Sequence, residues 1–462
     1  MAKPRNQFVC RNCGTASAKW EGKCSGCGEW NTLEEEISIQ PQTGTASRNS
    51  SQAIFERLDA PTPIIERTSC GSDELDRVLG GGLVRGSAIL IGGEPGIGKS
   101  TLLLQTAAHL ASKGEDVAYV SGEESLEQIR LRARRLGLAG APVRLASTGD
   151  AWTVAQAIRS MRGSGVAIVD SIQTMSMAGV DSAPGSVSQI RSCAHELIRA
   201  AKDSGVPLFL VGHVTKDGTI AGPKILEHAV DTVAYFSGDA SHEYRLVRTV
   251  KNRFGATDEI GVFAMSEKGL REVANPSEMF LSDHRGDAPG SAVYAGMEGT
   301  RPLLVEVQAL VAAAAYGSPR RTVVGWDSAR LATLLAVLEA RCGTSFADVD
   351  VYLNVVGGFR VSEPGADLAI AAALISAKIG RPLPPDLVLF GEVGLGGEIR
   401  PVGQTEARLR EAAKLGFSQA IRPKARREGE EGTRRKEAPA SNASMQRLSE
   451  LVGYVAGLPQ GK

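Results

Sequence analysis

Apolar runs of strand length alternate with helix-forming segments through the middle of the chain. SAILIGG (residues 87–93) is soon followed by TLLLQTAAHLASK (101–113), which combines good helix formers with an apolar face. Three later runs, DVAYV, GVAIV and VPLFLVG, have the length of buried strands. The alternation predicts an α/β core, which we assign to residues 62–274.

A second alternation follows after about residue 275. DSARLATLLAVLEARCG (327–343) and GADLAIAAALISAKIG (365–380) have helical character, and VYLNVVGG (351–358) has the character of a strand. The segment has the size of an independent domain. We therefore expect a second α/β domain over residues 275–462.

The N-terminal segment contains a cysteine pattern instead of an apolar one. Two Cys-x2-Cys pairs can each place two thiolates on a tight turn, and together they complete a tetrahedral Zn²⁺ site. No nearby histidine offers a further ligand, which favours a structural site over a redox or catalytic one. The predicted ligands are Cys10, Cys13, Cys24 and Cys27.

We place this zinc ribbon at residues 1–30, with Trp20 and Trp30 as candidates to cover the metal. The chain then turns to Glu, Gln, Ser and Thr with little hydrophobic period, so residues 31–61 are predicted to be a flexible linker.

Composition excludes several classes of protein. The chain has 462 residues, 42% of them hydrophobic, and its 52 Lys and Arg balance 52 Asp and Glu. Any binding to nucleic acid must therefore come from local patches. Neither a signal peptide nor an apolar stretch long enough to span a membrane is present, which predicts a cytoplasmic protein without a membrane partner.

A phosphate-binding loop follows the first strand of the core. GEPGIGKS matches the pattern G-x4-G-K-S between a predicted strand and a predicted helix, the context that this loop requires. Its backbone N–H groups surround phosphate, its lysine reaches the terminal phosphates, and its serine binds Mg²⁺. The predicted nucleotide-binding residues are Gly93, Glu94, Pro95, Gly96, Ile97, Gly98, Lys99, Ser100 and Thr101.

Later strands end in polar residues that suit hydrolysis. Asp170 ends GVAIVD and is predicted to hold the water shell of the metal ion. Glu123 and Glu124 follow DVAYVS; Glu123 is the first candidate to polarise water and Glu124 the second, unless both only begin the next helix as favourable charges. His213 ends VPLFLVGH and either senses the terminal phosphate or caps the strand.

The segment VKNRFGAT is a further candidate for phosphate binding, because two cations lie where a buried strand is predicted to end. Lys251 and Arg253 point the same way if the strand continues through them, so both can approach one ligand. Phosphate of a nucleotide and phosphate of DNA both suit such a pair, and a solvated strand end is the plain alternative.

These motifs together resemble the RecA-type ATPases and, within them, the bacterial RadA (Sms) DNA repair family. The resemblance covers essentially the whole chain and rests on the ribbon, GEPGIGKS, YVSGEES, VDS and KNRFG. It implies a RecA-like ATPase core that binds ATP and Mg²⁺ in a homo-oligomer, expected to be a hexameric ring. It also implies that Lys251 and Arg253 reach the nucleotide of a neighbouring subunit.

The same resemblance implies a role on single-stranded and branched DNA in homologous recombination, with a recombinase as a protein partner. The favoured function is a DNA-dependent ATPase that remodels recombination intermediates, with helicase or branch-migration activity as a possibility. A nucleotide-controlled DNA-binding assembly factor without motor activity is the alternative.

The C-terminal domain resembles the Lon protease domain, which uses a serine activated by a lysine. Against that pattern, Gly365 stands where the serine belongs and Glu406 where the lysine belongs. Neither residue can replace its counterpart, so an ATP-dependent protease is not expected.

Overall fold

The computed structural model of the chain describes residues 5–10, 15–26, 28–38, 66–161, 165–213, 225–238, 244–257, 259–281, 288–314, 319–424 and 441–459. The chain divides into two units, Met1–Val273 and Ala274–Lys462.

A small antiparallel sheet begins the first unit. Its strands are β1 (Arg5–Cys10), β2 (Ala16–Ser17) and β3 (Leu33–Ser38), in the order β2-β1-β3. β3 pairs with β1 along its whole length. The predicted linker therefore starts too early at residue 31: backbone pairing holds LEEEIS in the sheet, although its side chains carry little strand signal. Residues 39–61 of the linker lie outside the described residues.

A nine-stranded sheet forms the centre of the first unit. The remaining elements of this unit are β4 (Arg67–Thr68), α1 (Asp73–Val78), β5 (Leu83–Val84), β6 (Ala88–Gly93), α2 (Lys99–Ser112), β7 (Val117–Ser121), α3 (Leu126–Arg135), β8 (Arg144–Ser147), α4 (Ala151–Ser160), β9 (Val166–Asp170), a 3₁₀ turn (Ile172–Thr174), α5 (Val187–Ser204), β10 (Leu208–His213), α6 (Ile225–Ala229), β11 (Thr232–Ser237), β12 (Tyr244–Asn252), β13 (Ile260–Ser266) and β14 (Gly269–Glu272).

The strand order of this sheet is β14-β13-β12-β11-β6-β10-β9-β7-β8. β11, β6, β10, β9, β7 and β8 run parallel, whereas β12, β13 and β14 extend the sheet with antiparallel pairs. Parallel strands end at the same edge of a sheet, so the carboxyl ends of β6, β7, β9 and β10 meet at one edge, where α/β proteins bind ligands.

The central strand β6 is buried on both faces. Ile89 and Ile91 belong to one apolar cluster, which includes residues of α1, α2 and α3, and Ala88 and Leu90 belong to another, which includes residues of α4 and α5. Successive side chains of a strand point to opposite faces. The continuous apolar run in the sequence therefore marks a strand that is covered by helices on both sides.

The second unit is also α/β, as predicted. Its elements are α7 (Pro276–Phe280), β15 (Ser291–Glu298), β16 (Arg301–Ala313), β17 (Arg321–Val324), α8 (Ser328–Cys342), β18 (Val349–Val355), two 3₁₀ turns (Val356–Gly358 and Pro364–Ala366), α9 (Asp367–Ile379), β19 (Leu387–Leu389), β20 (Glu392–Val393), β21 (Ile399–Arg400), α10 (Thr405–Lys414), β22 (Gln419–Pro423), β23 (Ser441–Met445) and α11 (Leu448–Gly457).

A seven-stranded sheet in the order β17-β18-β16-β15-β19-β22-β23 forms the centre of this unit. The helix α9 packs against β15 and β16, and its residues from Asp367 to Ser376 are buried. The alanine-rich sequence of α9 suits this place because small side chains let a helix lie close to a sheet.

Candidate active site

The predicted phosphate loop lies between the end of β6 and the start of α2. Gly96 and Gly98 have φ values of 78° and 121°, in the region that favours glycine. A Cβ added at Gly98 would also lie 3.0 Å from Cε of Met265. No side chain caps the N-terminus of α2. The first N–H groups of this helix are thus left to bind an anion, as in phosphate-binding loops.

Lys99 is the first residue of α2 and is only 3% exposed. Its Nζ donates hydrogen bonds to the carbonyls of Gly93 (2.7 Å) and Glu94 (2.8 Å) and lies 3.3 Å from Nδ1 of His213. Burial lowers the pKa of Lys99 to about 8, although the nearby carboxylates, Asp170 foremost, favour its charged form. A buried cation of this kind suits a polyanionic ligand.

Asp170 lies at the carboxyl end of β9 and is 6% exposed. Its Oδ2 accepts a 2.6 Å hydrogen bond from the hydroxyl of Tyr119, a buried residue of β7. Together with Ser100 on α2, Asp170 provides the oxygen groups that Mg²⁺ prefers. The residues therefore fit a nucleotide with its metal ion.

Glu123 and Glu124 follow β7, and their side chains have different partners. Oε1 of Glu123 accepts a hydrogen bond from Oγ of Ser171 (2.6 Å) and lies 3.1 Å from Nε2 of His213. His213 thus lies between Glu123 and Lys99. The side chain of Glu123 is 44% exposed, which leaves room for a water molecule to reach it.

Glu124 instead accepts a hydrogen bond from Nη2 of Arg132 on α3. Burial raises the pKa of Glu124, and Arg132 acts in the opposite direction. Helix α3 is capped by Ser125 and Gln128 in a capping box, so neither glutamate is its N-cap. Both carboxylates directly precede the cap, where negative charge also favours the start of a helix, so that alternative stays open beside a catalytic role.

A cavity of about 300 Å³ brings most of the predicted residues together. Three residues that the sequence analysis did not name also line it: Ser121, Arg132 and Arg135. Ser121 has a sequence signal, since it ends the strand just before the paired acids. The predicted residues that line the cavity are Pro95, Gly96, Gly98, Lys99, Ser100, Thr101, Glu123, Glu124, Asp170 and His213.

The other three predicted loop residues have backbone roles. Gly93 and Glu94 hold Lys99 through their carbonyls, and the carbonyl of Ile97 accepts a hydrogen bond from Nε of Arg245 (3.2 Å). Ile97 itself is buried in the apolar cluster beneath α2.

Lys251 lies at the end of β12, and Arg253 just beyond it; neither lines the cavity. Nζ of Lys251 donates to the carbonyls of Glu227 (2.6 Å), His228 (3.2 Å) and Val230 (2.7 Å), residues that precede β11. Because β12 runs antiparallel to β11, this is the amino edge of the parallel strands. The phosphate loop lies at the carboxyl edge.

Arg253 shares a buried partner with two other groups. Its Nη1 lies 3.2 Å from Oδ1 of Asp231, which is also 3.5 Å from Nζ of Lys202, while Oδ2 accepts from the backbone N–H of Ala88 (3.0 Å). The side chain of Arg253 is 54% exposed. Burial, and then the charge of Arg253, lower the pKa of Lys251.

Two of the four predicted zinc ligands are described, and they lie in one buried cluster. Cys10 and Cys24 are 0% and 2% exposed and pack with Leu33. Sγ of Cys24 accepts a 3.3 Å hydrogen bond from the N–H of Gly26, and the Cys10 thiol donates to Thr32 Oγ1 (3.2 Å). Two buried cysteines in one cluster fit a structural zinc ion, which would bind them as thiolates.

The other two predicted ligands, Cys13 and Cys27, lie outside the described residues. Trp20 and Trp30 are 56% and 67% exposed, and both rings lie beside Gly22. Their place over the metal stays a prediction.

In the second unit, the positions of the Lon dyad hold no nucleophile. Gly365 is buried in a 3₁₀ turn, whereas Glu406 is exposed in the first turn of α10. The buried polar group nearby is Arg408, which donates to both oxygens of Glu363, to the carbonyl of Ala295 (2.8 Å) and to that of Gly403 (3.0 Å).

Tyr294 completes this arrangement by donating its hydroxyl to Glu363. Burial raises the pKa of Tyr294 well above its ordinary value, and the charge of Glu363 adds to the effect. We call Tyr294, Glu363 and Arg408 the arginine cluster. Its groups bind one another, and the void that Tyr294 and Glu363 line beside them has a volume of about 10 Å³.

Three protein families match parts of the chain. The family described as "Rubredoxin metal binding domain" matches residues 8–35, "AAA domain" matches residues 55–219, and "Subunit ChlI of Mg-chelatase" matches residues 316–426. A P-loop ATPase core between a zinc ribbon and a Lon-like α/β domain is thereby confirmed. Within the described part of the chain, no helix is both long and apolar enough to cross a bilayer.

Several proteins are similar over nearly the whole chain, and each is named "DNA repair protein RadA". That of Brucella abortus is 55% identical over 92% of both chains. That of Pseudomonas aeruginosa is 49% identical over 95% of this chain and 96% of its own, and that of Bacillus subtilis is 48% identical over 93% and 94%. Similarity of this extent shows common descent, and the chain belongs to the DNA repair protein RadA family.

Proposed function

We propose that the chain is a DNA-dependent ATPase that acts in homologous recombination and DNA repair. One observation carries the proposal: a buried lysine at the start of an uncapped helix shares a cavity with Asp170 and Glu123. The "AAA domain" match and the names of the relatives supply the substrate class and the process.

In this proposal each residue of the cavity has a distinct task. The N–H groups of the loop and Lys99 bind the phosphates of ATP, and Ser100 and Asp170 hold Mg²⁺, which offsets phosphate charge when bound. Glu123 orients and polarises the attacking water. His213 lies between Lys99 and Glu123 and senses whether the terminal phosphate is bound.

Lys251 and Arg253 are proposed to act on the nucleotide of a neighbouring subunit. Their position at the amino edge of the sheet supports this, because the phosphate loop of the same subunit lies at the other edge. If the neighbouring subunit supplies this cation, hydrolysis depends on assembly of the oligomer. The proposal therefore includes a homo-oligomer, a hexameric ring in its sharpest form.

The finer parts of the proposal follow from the family. They include a cytoplasmic location, action on single-stranded and branched DNA with branch migration, and a recombinase as partner. They also include the division of the chain into a zinc ribbon with four cysteine ligands, a linker, the ATPase core and the Lon-like domain. The arginine cluster supports a non-proteolytic role for the last of these.

The first experiment tests ATP hydrolysis with and without single-stranded DNA. Lys99→Ala is expected to abolish hydrolysis, since its ammonium contacts the loop, whereas Lys113→Ala, at the exposed far end of α2, is expected to retain it. Normal turnover by a folded Lys99→Ala protein would refute the assignment. Remodelling of branched DNA with a non-hydrolysable ATP analogue would favour the assembly factor instead.

The second experiment mixes Lys251→Ala subunits with Lys99→Ala subunits, each inactive alone. A Lys99→Ala subunit still presents its Lys251 to an intact loop next door, so mixed assemblies are expected to regain activity. The control replaces Lys99→Ala by the double variant Lys99→Ala/Lys251→Ala, which presents no lysine. No recovery in assemblies shown to be mixed would favour DNA as the partner of Lys251.

A further inference from the structure

Arg132 is a further cation that lines the cavity. It belongs to α3, and not to the phosphate loop or to the end of β12. It lies in the second turn of α3, whose start is fixed by the Ser125–Gln128 capping box and whose buried face carries Ile129. The side chain of Arg132 is 19% exposed. It reaches back over eight residues to Glu124, on the wall of the cavity.

The guanidinium of Arg132 uses only part of its hydrogen-bonding capacity. Nη2 donates to Glu124, but Nη1 is buried and has no acceptor among the residues that the structure describes. A buried donor without an acceptor is costly, more so when it is charged. An acceptor in the cavity would remove this cost.

The charges around the cavity favour an anion as that acceptor. Glu124 already binds Arg132, and Asp170 already accepts from Tyr119, so neither needs the free nitrogen. A terminal phosphate carries up to two negative charges and three acceptor oxygens. Besides the ammonium of Lys99, the unpartnered N–H groups of an arginine can donate charge-assisted hydrogen bonds to these oxygens.

We propose that Arg132 is a further ligand of the terminal phosphate of the bound nucleotide, supplied by the same subunit as the phosphate loop and positioned by Glu124. This inference rests on the proposed ATPase function. No bond is made or broken at Arg132, which keeps its protons and offsets charge on the phosphate oxygens. Glu124 is then a positioning residue, and the polarisation of water is left to Glu123.

The test compares two ligands that differ at the terminal phosphate: Mg²⁺–ADP, and Mg²⁺–ADP with beryllium fluoride. With the full-length protein, Arg132→Gln is expected to weaken binding of the fluoride complex by about tenfold or more and to leave ADP binding within about twofold. Arg132→Lys restores the charge and should recover part of the loss. Arg130→Gln, on the exposed side of the same helix, is the matched control.

A purely structural role for Arg132, as the partner that holds Glu124 in place, predicts a different pattern. Arg132→Gln and Glu124→Gln would then cause equal losses, and the double variant would lose no more than either. The proposal expects Glu124→Gln to weaken binding of the fluoride complex less than Arg132→Gln does, since the glutamine amide oxygen can still accept from the guanidinium. Equal losses, or equal weakening of ADP, would overturn it.

The outcome also separates this inference from the proposed function. If the wild-type protein hydrolyses ATP and Lys99→Ala does not, the ATPase assignment stands whatever Arg132 does. If binding of the fluoride complex is then unchanged in a folded Arg132→Gln protein, the inference about Arg132 is wrong. Thermal unfolding of each variant, without nucleotide, shows whether the protein is as stable as the wild type.

Discussion

The ATPase cavity and the arginine cluster are two polar groups in α/β units, and they differ in where their polar atoms point. In the first unit, Lys99, Glu123 and Arg132 surround about 300 Å³ of open space. In the second, Arg408, Glu363 and Tyr294 bind one another and leave about 10 Å³. Of the two positions that correspond to the protease dyad, Gly365 is thus buried beside the arginine cluster, whereas Glu406 is exposed.

The difference shows how a site can be told from a structural cluster. Arg408 is 1% exposed and donates four described hydrogen bonds within the protein. Arg132, in contrast, retains a buried nitrogen for which the structure describes no acceptor. Buried polar groups that satisfy one another stabilise a fold, whereas an unpartnered group at a cavity leaves a hydrogen bond for a ligand or a water molecule.

The largest effect is expected from breaking the arginine cluster. Arg408→Met removes the partner of Glu363 and Tyr294 and is expected to lower the free energy of unfolding of the second unit by about 4 kcal/mol. Chemical denaturation of the full-length protein measures this, and ADP binding by the first unit should survive. Arg410→Met, exposed on the same helix, is the control. A loss as small as that of the control would mean that the cluster does not stabilise the unit.

The next effect concerns catalysis at the cavity. Glu123→Gln keeps the size of the side chain but removes the base, so we expect kcat to fall by about 100-fold with little change in ATP affinity. Steady-state hydrolysis and nucleotide titration measure the two quantities. Glu127→Gln, exposed on α3, should behave as wild type. A larger loss for Glu124→Gln than for Glu123→Gln would transfer the base to Glu124.

A smaller effect is expected from pH. Because burial lowers the pKa of Lys99 to about 8, its ammonium is charged at pH 7 and largely neutral at pH 9. The terminal phosphate is already ionised in this range. ATP affinity is therefore expected to fall about tenfold between pH 7 and pH 9. Titration with a fluorescent ATP analogue tests this, and Lys99→Ala should show no such dependence.

The smallest effect is expected from restoring the protease residues. In Gly365→Ser/Glu406→Lys, the new Cβ at position 365 would lie 3.2 Å from Oε1 of Glu363 and 3.3 Å from the hydroxyl of Tyr294. The arginine cluster thus leaves no room for substrate, and no cleavage of labelled casein is expected. Release of peptides above the level of Gly365→Ala/Glu406→Lys would show that the site is still competent.

The sequence predicted those elements whose pattern of residues lies within one short stretch of the chain. The strand β6, the glycine loop and α2 follow one another within 25 residues, from Ala88 to Ser112, and Asp170 was found because a short apolar run ends there. The sequence could not show β3, since LEEEIS owes its place to backbone pairing with β1. Pattern alone recognises a strand only when its side chains alternate or are uniformly apolar.

The missed residues depend on contacts between distant segments. Arg132 is one of several arginines in LEQIRLRARR, and only the direction of α3 selects it for Glu124. Glu363 and Arg408 are 45 residues apart, and nothing in the sequence joins them. The separate partners of Glu123 and Glu124 likewise come from the residue after β9, from β10 and from α3, not from the strand that the two acids follow.

The packing of β6 has a consequence for the tolerance of this region to insertions and deletions. Alternate residues of β6 enter two different apolar clusters, and the carbonyl of its last residue, Gly93, holds the ammonium of Lys99. One residue added to or removed from β6 would exchange the two faces of part of the strand. It would also displace Lys99 by about 3.3 Å along the strand. An insertion or deletion within β6 would therefore disturb both apolar clusters and the phosphate loop at once.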